Sequence, residues 1–154
     1  MQSLDLKIKP PIVAVIAVII MFGLDYWLPN DKLGVGQYRL EMVLGLVLIG
    51  LMLAMTGVKK FIQAETTIHP DLKHATNKLV TSGIYRISRN PMYLGMLLNL
   101  LAISVWLSNW LTIGVCLGFV CYITQFQIKP EERFLQQKFG KQYTDYCQKV
   151  RRWL

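Results

Sequence analysis

Between Arg89 and Lys129 the chain carries 39 consecutive residues without a formal charge. As one helix this stretch would be about 58 Å long at 1.5 Å per residue, twice what a bilayer's hydrocarbon core requires. The simplest solution is two short antiparallel spans, Pro91 to Leu107 and Trp110 to Gln127, turning at Ser108-Asn109. A hairpin returns the chain to the side it left. Arg89 and Glu131 are therefore expected to face the same compartment.

Two further apolar runs precede it. Pro11 to Leu28 follows Lys7 and Lys9 and is interrupted only by Asp25, with Tyr26 and Trp27 placed to mark an interface. It is long for a signal core and no small-residue cleavage site follows, so a cleavable signal peptide is not expected. Leu40 to Val58 has Glu41 at its start and is otherwise uncharged, with Gly45 and Gly50 available for close helix contact. With 53% hydrophobic and 17% charged residues in 154, the chain is too apolar for an ordinary soluble domain. The expectation is one all-α integral membrane domain over residues 1–154, with spans near 11–28, 40–58, 91–107 and 110–127 and a C-terminal amphipathic helix.

That last helix begins at Lys129, with Pro130 kinking or restarting it and Glu131 and Glu132 in its first turn. Leu135, Phe139, Tyr143, Tyr146, Val150 and Trp153 recur at helical spacing. Basic residues fill much of the other face, a pattern suited to an anionic membrane surface, with an interruption expected near Gly140. Of 17 Lys and Arg residues, 15 fall on one side of the expected topology, leaving Lys32 and Arg39 opposite. The positive-inside rule makes the crowded side cytosolic. Topology and anionic lipid account for the net charge of +8, and no nucleic-acid partner is expected.

Cys116, Cys121 and Cys147 lack metal-type spacing and read as packing residues. His69 and His74 lie five apart in the long polar segment Lys59–Arg89 without a third obvious ligand, and no metal site is expected.

The remaining signal is TSGIYRISRNPMYLG, Thr81 to Gly95. Asn90 reads as the N-cap of a helix with Pro91 in its first turn, and Arg89 adds a positive charge beside that helix start. Such a place suits a carboxylate or phosphate. It also suits an interfacial turn whose arginines meet headgroups and whose tyrosines join an aromatic belt. The polar groups of both blocks gather at one membrane–cytosol boundary. A water-soluble cofactor and an apolar substrate can meet there. Arg89 and the helix start could hold the carboxylate of a zwitterionic amino-acid cofactor, and Glu131 its ammonium. Glu131 and Glu132 could equally complement the helix dipole and pair with Arg86 or Arg133.

LVTSGIYRISRNPMYLG (Leu79–Gly95), followed by PEERFLQQKFGKQYTDYCQKVRRW (Pro130–Trp153), closely resembles the isoprenylcysteine carboxyl methyltransferase family. Its short prokaryotic members are the nearest in pattern, and the phospholipid methyltransferases share it. The resemblance runs from about Thr66 to the C-terminus and includes TTIHP at Thr66–Pro70. It implies an enzyme of the prokaryotic cytoplasmic membrane, its site facing the cytosol, that uses S-adenosylmethionine on a lipophilic acceptor such as an isoprenylcysteine-like carboxylate or a lipid. Carried onto this chain, the cofactor pocket involves Leu79, Val80, Gly83, Tyr85, Arg89, Asn90, Pro91, Tyr93, Glu131 and Glu132, and Arg89, Tyr93 and Glu131 are the candidates for the reacting centre. Eukaryotic members have His-Pro where this chain has Asn90-Pro91, and Asn cannot titrate. Two other readings stay open. Membrane sterol reductases carry a similar Arg-x-Pro-x-Tyr block and use a nicotinamide cofactor, and a non-enzymatic scaffold would need no cofactor at all.

Overall fold

The computed structural model describes residues 8–28, 34, 36–63 and 78–154, all of them in helices, turns and connecting segments. His69, His74 and Thr66–Pro70 lie outside the described residues. Helix α1 spans Pro10–Trp27, α2 Arg39–Gln63, α3 Pro91–Leu107 and α4 Leu111–Ile123. A π-turn, Thr124–Ile128, leads into α5, Lys129–Phe139, and α6 covers Lys141–Lys149.

Among the described residues three helical segments are long and apolar enough to cross a membrane: Pro10–Trp27, Gly36–Lys60 and Leu111–Phe139, the last of them uncharged only as far as Ile128. Helix α3 is apolar and one residue shorter than the first of them, at 17 against 18. Their outward faces carry large apolar side chains, with Ile19, Leu48 and Leu117 more than three-fifths exposed. In water such faces would be costly, whereas against lipid they are matched to their solvent.

Helix α3 is the centre of the bundle. It packs on α2 along one side and on α1 and α4 along the other. Gly50 and Gly95 make the α2–α3 contact close: a Cβ on Gly95 would lie 2.5 Å from the Gly50 carbonyl oxygen. Gly45, expected to serve the same purpose, faces open space. Helix α2 also runs past Val58 to Gln63, with Lys60 in its last turn, where a cation complements the helix dipole.

The hairpin between α3 and α4 is pinned at its tip. Ser108 ends α3 in the left-handed conformation (φ 57°), and its N–H donates to the carbonyls of Ser104 and Val105. Asn109 is buried and uses its side chain three times. Its Oδ1 accepts from Leu111 N–H at 3.1 Å, and its Nδ2 donates to Leu28 O at 3.1 Å and to Asp25 Oδ1 at 3.3 Å. Thr112 Oγ1 donates to Asn109 O, so Ser104 must supply the proton in the 2.6 Å Ser104–Thr112 contact.

The C-terminal part departs from a simple restart at Pro130. The chain stays helical from Leu111 to Phe139, its turn widened just before the proline. It breaks instead at Gly140, whose φ is +50°. Nor does the apolar face of the tail lie free for lipid. Tyr143, Tyr146 and Val150 are buried, with the partly buried Leu79, Leu135, Phe139 and Cys147 packed against them, while Trp153 packs on the main core. Periodicity identified the face, but the protein's own residues cover it. Lys138, Lys141, Lys149 and Arg151 remain exposed.

Candidate functional site: two adjacent carboxylates at the start of α3

The approach to α3 is a 3-10 turn, Gly83–Arg86, entered at Gly83 with φ +64°. The N–H groups of Ile87 and Ser88 fold back on Ile84 O, and Asn90 N–H donates to Ser88 Oγ at 3.1 Å. Asn90 occupies the N-cap position, but its side chain makes no capping bond. Its amide Nδ2 donates to Arg152 O at 2.9 Å instead. The tail competes successfully for the group that sequence assigned to the cap. Arg89 N–H likewise donates to Arg151 O at 3.1 Å, and Trp153 Nε1 donates to Thr124 Oγ1 at 3.1 Å. Residues 151–153 therefore run across the start of α3.

Beneath this strap lie the two carboxylates, neighbours in sequence and opposite in chemistry. Glu132 meets two cations. Arg152 binds it through Nε at 3.0 Å and Nη2 at 2.7 Å, one contact to each oxygen, and Arg89 Nη2 lies 3.2 Å away. Those contacts hold the Arg152 guanidinium above its ordinary pKa. Among the described residues Glu131 meets two neutral donors, Tyr93 OH from α3 and Gln127 Nε2 from the π-turn, each 2.7 Å from Oε1. Burial pushes the Glu131 carboxyl up to about 6, the two hydrogen bonds oppose that rise, and the neighbouring Glu132 charge adds to it.

Arg89 is the junction of the site. Besides Glu132, its Nη1 donates to Tyr143 OH at 3.4 Å and to Cys147 Sγ. Its Nε is buried without a hydrogen-bond partner among the described residues. Tyr146 OH donates to Tyr85 O at 2.7 Å and ties α6 to the 3-10 turn. Burial raises the Tyr85, Tyr143 and Tyr146 hydroxyls above their ordinary range, so all three stay protonated at neutral pH.

Of the residues singled out from sequence, Tyr85, Arg89, Asn90, Pro91, Tyr93, Glu131 and Glu132 gather at the two ends of this network. Leu79 packs with Tyr143 and Tyr146 and lines a separate cleft of about 450 Å³ with Arg86, Asp145 and Lys149. Gly83 faces the stem of Lys60, and Val80 is half-buried. Sequence reasoning missed Gln127 and Arg152. The first had a signal, since it stands four residues before Glu131 on one helical face. The second had none, because its contact with Glu132 depends on the path of the tail. Arg86 was not among the partners found for Glu132. Among the described residues no cluster of metal-binding type occurs.

A family model described as phospholipid methyltransferase matches residues 38–142, a range that holds Arg89, Tyr93, Gln127 and both carboxylates. Among individual proteins, the chain is 31% identical over 110 residues to protein-S-isoprenylcysteine O-methyltransferase B of Arabidopsis thaliana, covering 70% of this chain and 54% of the relative. A probable protein-S-isoprenylcysteine O-methyltransferase of Oryza sativa subsp. indica is 38% identical over 86 residues, covering 54% and 42%. An "Uncharacterized protein" of Haemophilus influenzae is 55% identical over 64 residues, 41% of this chain and the relative's whole length. The chain thus spans about half the length of the plant proteins it matches.

Proposed function

Because the chain belongs to the phospholipid methyltransferase family, we propose that it transfers a methyl group from S-adenosylmethionine to a lipophilic acceptor where the membrane meets the cytosol. The observation that carries this reading is the pair of unequal carboxylates. Glu132 is paired with Arg89 and Arg152, whereas Glu131 meets the neutral donors Tyr93 and Gln127.

The residues present fit an amino-acid-bearing cofactor. Tyr93 and Gln127 both bond Glu131 through Oε1, and its Oε2 would accept from an ammonium group. Arg89 Nε, buried and unpartnered, would donate to a carboxylate. When bound, S-adenosylmethionine supplies a methyl group on a sulfonium, which departs as a neutral thioether. An ionised carboxylate or thiolate acceptor needs no base, so the chain's part is alignment and exclusion of water. The strap of residues 151–153 contributes to the second. A protonated amine or a hydroxyl acceptor would in addition need a base.

In this reading α3 is a fourth span and both chain ends lie in the cytosol. The charge division, 15 basic residues against two, supports that orientation. The bilayer then delivers the acceptor and the cytosol the cofactor, with anionic lipids meeting the exposed lysines of α5 and α6. Titration of the purified protein with S-adenosylmethionine and, separately, with NADPH tests the assignment. Saturable binding of the first alone is expected. Binding of NADPH alone would indicate a reductase, and binding of neither a scaffold.

A further inference from the structure

Gln127 lies in the π-turn, one turn before Glu131, and is 3% exposed. The turn has a cause in the sequence. A regular α-helix running through Pro130 would press the proline ring on the carbonyl of Phe126 and leave that carbonyl without its donor. One extra residue in the turn relieves the contact, which is the geometry of a π-turn. In the resulting backbone Gln127 Nε2 reaches Glu131 Oε1 at 2.7 Å. Tyr93 OH, arriving from α3, donates to the same oxygen at 2.7 Å. Two donors from two elements hold one oxygen of the carboxylate, and neither of them bonds Oε2.

We propose that Gln127 is a positioning residue: with Tyr93 it holds Glu131 by Oε1, so that Oε2 is presented, still charged, to the ammonium group of the cofactor. This rests on the reading of the site given above. A glutamine suits the task for a specific reason. An arginine or lysine at 127 would orient the carboxylate but cancel its charge, and a leucine would do neither. The groups that face Glu131 are Tyr93 on α3, Tyr85 in the 3-10 turn and Glu132 beside it in α5, none of them cationic. The nearby cations, Arg89 and Arg152, are bound to Glu132. The Gln127 hydrogen bond also works against burial in setting where Glu131 titrates. Its loss should therefore leave the carboxylate both misaligned and harder to ionise.

The test uses the full chain in nanodiscs, labelled with carboxyl-¹³C glutamate. Infrared titration, taken as the difference between a protein and its Glu131→Gln counterpart, isolates this one carboxyl. In Gln127→Leu the Glu131 midpoint should rise by about half a pH unit or more, and S-adenosylmethionine affinity at pH 7 should fall about tenfold. An analogue lacking the amino group should bind Gln127→Leu as it binds the wild type. Unchanged midpoint and unchanged affinity would overturn the proposal, since leucine fills similar space without donating. If Gln127→Leu does not fold, Gln127→Asn withdraws the amide by one methylene and carries the same expectations. A wild type that titrates normally yet binds no S-adenosylmethionine would refute the proposed function, and the infrared midpoint would still decide whether Gln127 governs Glu131.

Discussion

At the hairpin end of α3, Ser104, Asn109 and Thr112 use their polar atoms on one another and on the end of α1; at the opposite end, Arg89 and Glu131 keep polar atoms in reserve. Both clusters sit in an apolar bundle, where an unsatisfied polar atom is costly. The first cluster answers that cost internally and fixes a turn. The second leaves a guanidinium nitrogen without a partner among the described residues and a carboxylate held by one oxygen, and in the proposed reading a bound ligand of opposite charge completes both. Number of polar residues does not distinguish the ends. Completeness of their bonding does.

This contrast is broken most forcefully at Arg89. Arg89→Ala should weaken S-adenosylmethionine binding by about 2–5 kcal/mol, the usual cost of losing a buried charged partner, as read by calorimetric titration. Retained affinity in a folded variant would place the ligand elsewhere. Asn109→Ala should do the reverse. It strands Leu28 O and the Leu111 N–H and should cost about 2–3 kcal/mol of stability, measured by unfolding in detergent, with cofactor affinity unchanged.

A smaller effect follows from Glu131. Its carboxyl titrates near 6 in the folded chain against an ordinary 4.5, so folding is favoured while the group is protonated. That contribution is complete below about 4.5 and is lost as pH rises through 6. The shift corresponds to about 2 kcal/mol. Glu131→Gln should therefore gain stability relative to the wild type as pH rises from 4.5 to 7. Parallel melting curves across that range would contradict the assignment of burial as the dominant cause.

Much of this architecture is legible in the residues. Thirty-nine uncharged positions demand a hairpin, and Ser108-Asn109 is the polar interruption at its midpoint. Arg89 and Glu131 are brought to one end of the bundle by that topology alone. Other features resist such reading for physical reasons. The spacing of Tyr143, Tyr146 and Val150 specifies an apolar face but not whether lipid or protein covers it. Gly45 and Gly50 look alike in sequence, and only the side of α2 that meets α3 separates them. Asn90 has the right identity and position for a cap, yet a carbonyl from 62 residues away takes its amide. The Glu132–Arg152 pair spans 20 residues across the break at Gly140, and without it the two carboxylates look equivalent.

The most direct test of that inequality compares S-adenosylmethionine with an analogue lacking the amino group, titrated into wild type and Glu131→Gln. If Glu131 Oε2 holds the ammonium, the variant should bind S-adenosylmethionine about tenfold more weakly, and the analogue should bind both proteins alike. Equal affinity of the two proteins for S-adenosylmethionine would contradict the account.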